Sequence, residues 1–352
     1  MKLKVGVIGV THPHSKAHLR SLELLNEVEE IYLADDDTDA LASLQGLSKV
    51  STTFTEFQDL LRRDDVPVVI VLKRNDEAVS VMTQVVEAGK HVISDKPAAR
   101  TADELAELLD LADKKNVLFS VFYTNRWRPE LRQTLSLRES GALGRLLSIE
   151  FRTITSSVNH RNPRHWLFNK NLAGGGILHW LGCHQFDLLR YLTGEEVTAV
   201  SAMTRTLSGE SIDVEDVATV MLQMSSGALA TLHAGYMIQS GPTGYMQAGY
   251  DSDFGMRGTA GRLWIEKGSN QETLVLESTA PKWRNVQRHT FAYTLAPSEA
   301  YGGVAGMDFL RTIFKAAVEG GKAPVTGLDA LKALQIIEAA YSSSDKGRTI
   351  TL

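Results

Sequence analysis

Residues 3–14 read Leu-Lys-Val-Gly-Val-Ile-Gly-Val-Thr-His-Pro-His. A β-branched run that stops on a glycine and then enters a helical pattern (Ala17, Leu19, Leu22, Leu25) is how a strand feeds the first turn of a dinucleotide-binding unit. That turn ordinarily carries Gly-x-Gly-x-x-Gly, for a tight turn, close approach of backbone to pyrophosphate, and helix–strand packing. Here the three positions are Gly9, Thr11 and His14, so one glycine of three is kept. The free N–H groups at the start of the following helix still form an anion site, to which Thr11 and His12 can add donors.

Working outward, short apolar runs alternate with amphipathic ones. Residues 30–34 make a second strand and run into Asp35-Asp36-Asp37. Residues 66–72 are almost wholly apolar, the mark of a strand buried on both faces. A helix over 79–88 ends at Gly89, the strand 91–94 follows, and Thr101 with Glu104 gives a capping box for the next helix. A further strand falls within 116–122. This alternation predicts a doubly wound, parallel Rossmann sheet over residues 1–122.

Beyond residue 122 the rhythm changes. A helix near 129–140 leads to a strand over 145–155, an irregular stretch over 158–176, and a helix over 177–192. Five strand patterns follow between 197 and 276, with two helical segments (307–318 and 328–342) toward the end. Residues 123–352 are therefore expected to form an α+β domain with an open, mostly antiparallel sheet and helices.

Composition limits the partners. Hydrophobic residues at 43% and charged residues at 22% allow a large core, and a net charge of −5 offers no basic surface for nucleic acid or anionic membrane. No apolar stretch reaches a membrane span, the start lacks a signal-peptide core, and Cys183 is the single cysteine; a cytoplasmic protein is expected. Asp35 stands where a carboxylate accepts the ribose hydroxyls and repels a 2′-phosphate, which favours NAD over NADP, the alternative being a solvated acidic turn. His12, His14 and His18 invite a metal reading, but no nearby cysteine or carboxylate completes a ligand set in the sequence, so no metal is expected.

At residues 91–97, His-Val-Ile-Ser-Asp-Lys-Pro, the chain resembles the glucose-fructose oxidoreductase/inositol dehydrogenase/MocA (Gfo/Idh/MocA) family, which carries Glu-Lys-Pro there. Gly174-Gly175-Gly176 with Gly182, His184, Asp187 and Gly194, and the closing stretch 338–342, extend the resemblance over the whole length. It implies a nicotinamide-dependent oxidoreductase acting on a sugar, glycoside or cyclitol. In it Lys96 would lie beside nicotinamide and the reacting hydroxyl, and His184 would be the acid/base. Asp95 and Pro97 flank that lysine, and Asn75 keeps the asparagine that the family carries after the fourth strand, where Lys73 and Arg74 replace its usual residues and Ala78 its histidine. The family's aspartate four residues before the histidine is Trp180 here, which can cover the imidazole or stack on a sugar ring. The resemblance also implies a homodimer or homotetramer through the C-terminal sheet. Candidate substrate residues are Arg126, His160, Arg161, Arg164, His165, Trp166, Trp180, Asp187 and Tyr236; several of these fit equally well as ordered loop or core residues, and Asp187 as a local pairing partner. Two further functions stay open: an NAD-assisted lyase or hydrolase on keto-sugars without net redox, motivated by Trp180, and a cofactor-free binding protein, motivated by Thr11 and His14.

Overall fold

The computed structural model describes residues 2–240, 242–245, 248–268, 271–294 and 296–352. The chain divides into two compact units: residues 1–124 with 171–174 and 297–332, and residues 125–170 with 175–296 and 333–352.

In the first unit β1 (Leu3–Ile8), α1 (Ser15–Leu24), β2 (Val28–Ala34), α2 (Thr38–Leu44), β3 (Val50–Phe54), α3 (Phe57–Leu61), β4 (Val68–Val71), α4 (Asn75–Glu87), β5 (His91–Ser94), α5 (Ala102–Lys115) and β6 (Phe119–Val121) follow one another. The six strands are parallel in the order β3-β2-β1-β4-β5-β6. This is the doubly wound Rossmann sheet expected from the alternation. Every residue of β4 is buried, because α-helices cover both faces of such a sheet and leave its central strands no polar side. Thr101 caps α5 by accepting the Glu104 N–H at 3.2 Å. Gly9 ends β1 at φ +97°, and a Cβ there would sit 2.2 Å from the Leu72 carbonyl oxygen, so the first glycine is demanded by the backbone itself.

The second unit contains α6 (Pro129–Glu139), β7 (Leu146–Ser156), the first residue of the short α7 (Lys170–Ala173, whose other three residues belong to the first unit), α8 (Cys183–Thr193), β8 (Val197–Arg205), β9 (Val217–Met224), β10 (Leu229–Ile238), β11 (Tyr250–Gly258), β12 (Gly261–Lys267), β13 (Gln271–Ser278) and β14 (Arg288–Thr294). α9 (Gly303–Glu319) belongs to the first unit, α10 (Gly327–Lys346) starts in it, and β15 (Ile350–Thr351) returns to the second. The nine-stranded sheet runs β14-β13-β12-β11-β7-β10-β9-β8-β15, antiparallel except for the β7–β10 pair. Along β9 buried and exposed residues alternate, so one sheet face is packed and the other presents Met203, Met221 and Leu229. The expected single helix over 177–192 begins instead as a π-turn, Leu178–Gly182, before α8. Among the described residues no helix is long and apolar enough to cross a membrane.

Candidate functional site

In the first unit the groups that can hold a nucleotide gather at the carboxyl ends of β1, β2, β4 and β5, the edge where open α/β sheets bind ligands. Asp35, just past β2, is 3% exposed; its Oδ2 accepts the Val10 N–H at 2.6 Å and its Oδ1 the Asp37 N–H at 3.1 Å. Each oxygen thus takes one backbone N–H, and Lys73 and Asp36 lie beside the carboxylate. Beside it lies a cavity of about 420 Å³ whose walls include Ile8, Ala34, Thr55, Lys73 and Gln84. Lys73 Nζ stands 3.8 Å from Asp35 and 3.3 Å from Asp36, so this lysine faces the cavity, whereas Arg74 turns to Asp76 at 3.1 Å. Thr11 is exposed at the turn. Asn75 donates its side-chain N–H to the Ala173 carbonyl at 2.8 Å and so anchors the 171–174 segment.

At the end of β5, Asp95 and Lys96 are 5% and 2% exposed, and the Lys96–Pro97 peptide is cis. Asp95 Oδ1 accepts the Lys96 N–H at 2.7 Å. Its Oδ2 meets three imidazoles: His14 Nδ1 at 2.7 Å, His18 Nε2 at 3.3 Å and His12 Nδ1 at 3.5 Å. The carboxylate missing from the local sequence around the histidines is thus supplied from 81 residues away. Tyr301 stacks on His18 with centroids 4.1 Å apart, and Phe122 lies at the same distance on that ring. Burial pushes His12 well below the ordinary imidazole range and lowers His14, which keeps both rings neutral. For Asp95 burial works against the charge, but the His14, His18 and His12 nitrogens outweigh it and hold the carboxyl well below its usual range.

The second unit places its residues around the glycine run. A Cβ on Gly175 would lie 2.1 Å from Tyr341 Oη, and one on Gly176 would lie 1.9 Å from the Glu215 carbonyl oxygen. Glu215 is the pin of this region: Oε2 accepts the Gly176 N–H (2.8 Å), while Oε1 accepts the Leu178 N–H (2.9 Å) and the Tyr341 hydroxyl (2.8 Å). Burial pushes the Glu215 carboxyl up, and those three donors oppose the shift. His179 Nδ1 lies 3.1 Å from Tyr341 Oη with the rings stacked at 7°. The fastened segment leads through the π-turn into α8, whose first turn carries the half-buried His184.

Trp180 is 4% exposed and meets Trp166 (6.4 Å between centroids) and Tyr245 (6.0 Å) nearly edge-on. His165 lies 4.7 Å from Tyr245 and 5.6 Å from Trp166. The guanidinium of Arg161, 1% exposed, sits over Tyr236 and Tyr245 and donates to Thr155 Oγ1 at 2.5 Å and the Ser156 carbonyl at 3.3 Å. His165, Trp166 and Trp180 therefore come together in one aromatic cluster. His160 instead pairs with Ser157 (3.1 Å), and Arg164 is exposed. Arg126 and Asp187 meet each other in a buried fork, with Nε–Oδ2 at 2.9 Å and Nη2–Oδ1 at 2.5 Å. Glu215, Tyr245 and the role of Tyr341 escaped the sequence reading. Tyr341 lies in the closing stretch 338–342, and that was the one signal available for it.

Residues 3–123 match the family model described as "Oxidoreductase family, NAD-binding Rossmann fold", and residues 131–264 match "GFO/IDH/MocA C-terminal domain". A levoglucosan dehydrogenase of Pseudarthrobacter phenanthrenivorans is 26% identical over 325 residues, covering 83% of this chain and 81% of that protein. A scyllo-inositol 2-dehydrogenase (NADP(+)) of Bacillus subtilis is 27% identical over 374 residues, covering 99% and 96%. Among solved structures, a levoglucosan dehydrogenase in complex with NADH and levoglucosan superposes with a TM-score of 0.85 at 23% identity, covering 100% of this chain and 99% of that one.

Proposed function

The chain belongs to the Gfo/Idh/MocA family of oxidoreductases with an NAD-binding Rossmann domain, and from that premise we propose that it oxidises a secondary hydroxyl of a sugar, glycoside or cyclitol, or reduces the matching ketone. The observation that carries the reading is Lys96: a cationic side chain only 2% exposed, at the carboxyl edge of the parallel sheet of a nicotinamide-binding domain. A lysine is almost never buried this fully unless its charge is paired or in use. In this reading bound NAD would supply the hydride acceptor for the carbinol carbon. Lys96 donates a hydrogen bond to the substrate oxygen and favours the charge that builds there, and His184 takes the hydroxyl proton. Gly9, Thr11, His12, Asp35, Asn75, Asp95 and Pro97 form the cofactor side, with residues 1–122 as the cofactor domain and 123–352 as the substrate domain. The Asp35 carboxylate at the end of β2 suits the ribose hydroxyls and would repel a 2′-phosphate, which supports NAD as the preferred form although one relative is named for NADP.

The aromatic cluster of Trp166, Trp180 and His165 suits the C–H faces of a sugar ring, and the relatives named for levoglucosan and scyllo-inositol support a cyclic polyol. A second copy of this chain would cover the sheet face bearing Met203, Met221 and Leu229. The absence of a carboxylate at Trp180 favours, as a second reading, acid/base chemistry without net redox. A panel of sugars and cyclitols incubated with NAD, read by NADH absorbance, tests the proposal. Lys96→Ala and His184→Ala are each expected to lower kcat by about 10²–10⁴-fold with NADH binding retained. Turnover of a keto-sugar with no change in NADH would replace this reading by the second, and unchanged kcat in both variants would remove their assigned roles.

A further inference from the structure

The imidazole–carboxylate cluster under the first turn does something that hydride transfer does not require of it. We infer that His12, His14 and Asp95 form a binding site for a divalent transition-metal ion of the zinc type. The donor atoms of these three side chains all lie within 4.8 Å of one another, and the side chains are 2%, 11% and 5% exposed. Two nitrogens and one carboxylate oxygen are a donor set for zinc, cobalt or ferrous iron, and three protein ligands leave a fourth position open.

The proton arrangement points the same way. His12 Nδ1 accepts the backbone N–H of His14 at 3.3 Å, so it carries a lone pair and no proton. That lone pair lies 3.5 Å from Asp95 Oδ2, and a cation between the two atoms would bond both. For metal–ligand bonds of about 2.0–2.2 Å a tetrahedral edge is about 3.4 Å, which the His12–Asp95 separation already meets. The His14–Asp95 pair, at 2.7 Å, is bridged by the His14 proton; moving that proton to Nε2 of the same ring lets the pair open by about 0.7 Å and frees Nδ1 as a ligand. The outer groups are in place: the Lys96 N–H holds Asp95 Oδ1, and His18, stacked against Tyr301, reaches Oδ2 at 3.3 Å. Such an ion would tie the turn after β1 to the end of β5, and the inference does not depend on the substrate proposed above.

The test is titration of the full-length, chelator-treated protein with Zn²⁺ by calorimetry, and with Co²⁺ by visible absorption. One equivalent of Zn²⁺ is expected, with an intense low-symmetry Co²⁺ spectrum. His14→Ala and Asp95→Asn should each weaken binding by at least about 100-fold, while His233→Ala on the second sheet leaves it unchanged. Circular dichroism establishes that the variants are folded, and His12→Gln replaces either one that is not. No stoichiometric Zn²⁺ binding, or binding that survives both ligand substitutions, overturns the inference and leaves a purely hydrogen-bonded cluster. An octahedral, water-dominated Co²⁺ spectrum overturns it equally.

Discussion

Replacing Glu215 by glutamine tests how the second unit holds its glycine run. The carboxylate accepts three protons at 2.8–2.9 Å, from Gly176 N–H, Leu178 N–H and Tyr341 Oη–H. Glutamine retains one oxygen, which can serve Leu178 and Tyr341, and puts an NH₂ where Oε2 met Gly176. One hydrogen bond to a charged acceptor, worth about 1.5–3 kcal/mol, is lost, and a buried Gly176 N–H left unpaired costs about 1–3 kcal/mol more. Relief of a buried charge offsets part of this, since burial already pushes the Glu215 carboxyl up. The expected net loss is about 2–3 kcal/mol, and Glu215→Ala, which strands all three donors, should lose more. Guanidinium unfolding followed by tryptophan fluorescence isolates the effect. All five tryptophans (Trp127, Trp166, Trp180, Trp264 and Trp283) lie in the second unit, so the signal reports that unit alone. A change below about 0.5 kcal/mol in Glu215→Gln would mean that the carboxylate is not the pin described here.

Three further outcomes are expected. Asp35→Ser removes the charged acceptor at the β2 end, so NAD affinity should fall about 10–100-fold while NADP affinity falls less or rises; thermal-shift titrations with both cofactors measure the ratio, and an unchanged ratio refutes the assigned role. Gly9→Ala forces a Cβ to 2.2 Å from a carbonyl oxygen at φ +97°, and should cost about 3 kcal/mol or more by circular dichroism melting, with native-like stability as the refuting result. Burial lowers the His165 pKa to about 4, against 6.5 in the unfolded chain, and its Nδ1 accepts the Leu167 N–H at 3.3 Å. Between pH 6.5 and 4 the unfolded state therefore binds the extra proton, and stability falls as the pH drops through that window, by about 1–2 kcal/mol after allowance for partial exposure. His165→Gln should flatten that slope in tryptophan-detected unfolding, and an identical slope in both proteins would refute it.

The parts of the fold legible in the sequence are those where local chemistry and packing agree. The apolar run of β4 is buried throughout, Thr101 caps α5 where the spacing placed it, and the parallel pairing of the first sheet follows from the βαβ alternation. β11 was hidden for the opposite reason. Its residues, Tyr-Asp-Ser-Asp-Phe-Gly-Met-Arg-Gly, have little intrinsic strand preference, and they are extended because β7 on one side and β12 on the other supply their hydrogen bonds. The π-turn was equally invisible, since what accompanies it is Glu215, some 37 residues beyond Leu178. Arg126 and Asp187 read as substrate groups while their partners were unknown, and the fold brings them to each other across 61 residues.

The same reasoning explains how a turn with one glycine of three can still face a dinucleotide. Glycines are used there so that no side chain stands between backbone and pyrophosphate. His12 is 7% exposed and His14 has an 11% exposed side chain, both directed at Asp95 beneath the turn, so their bulk is taken up inside the domain; Thr11 alone is exposed. Ser15 Oγ donates to the Gly9 carbonyl at 3.2 Å and closes the turn from within. His14 thus stands at a glycine position with its bulk turned inward, on condition that a carboxylate waits at the end of β5. The motif residue before Lys96 is then more than a flank to the lysine: Asp95 is what makes this histidine-bearing turn compatible with the fold.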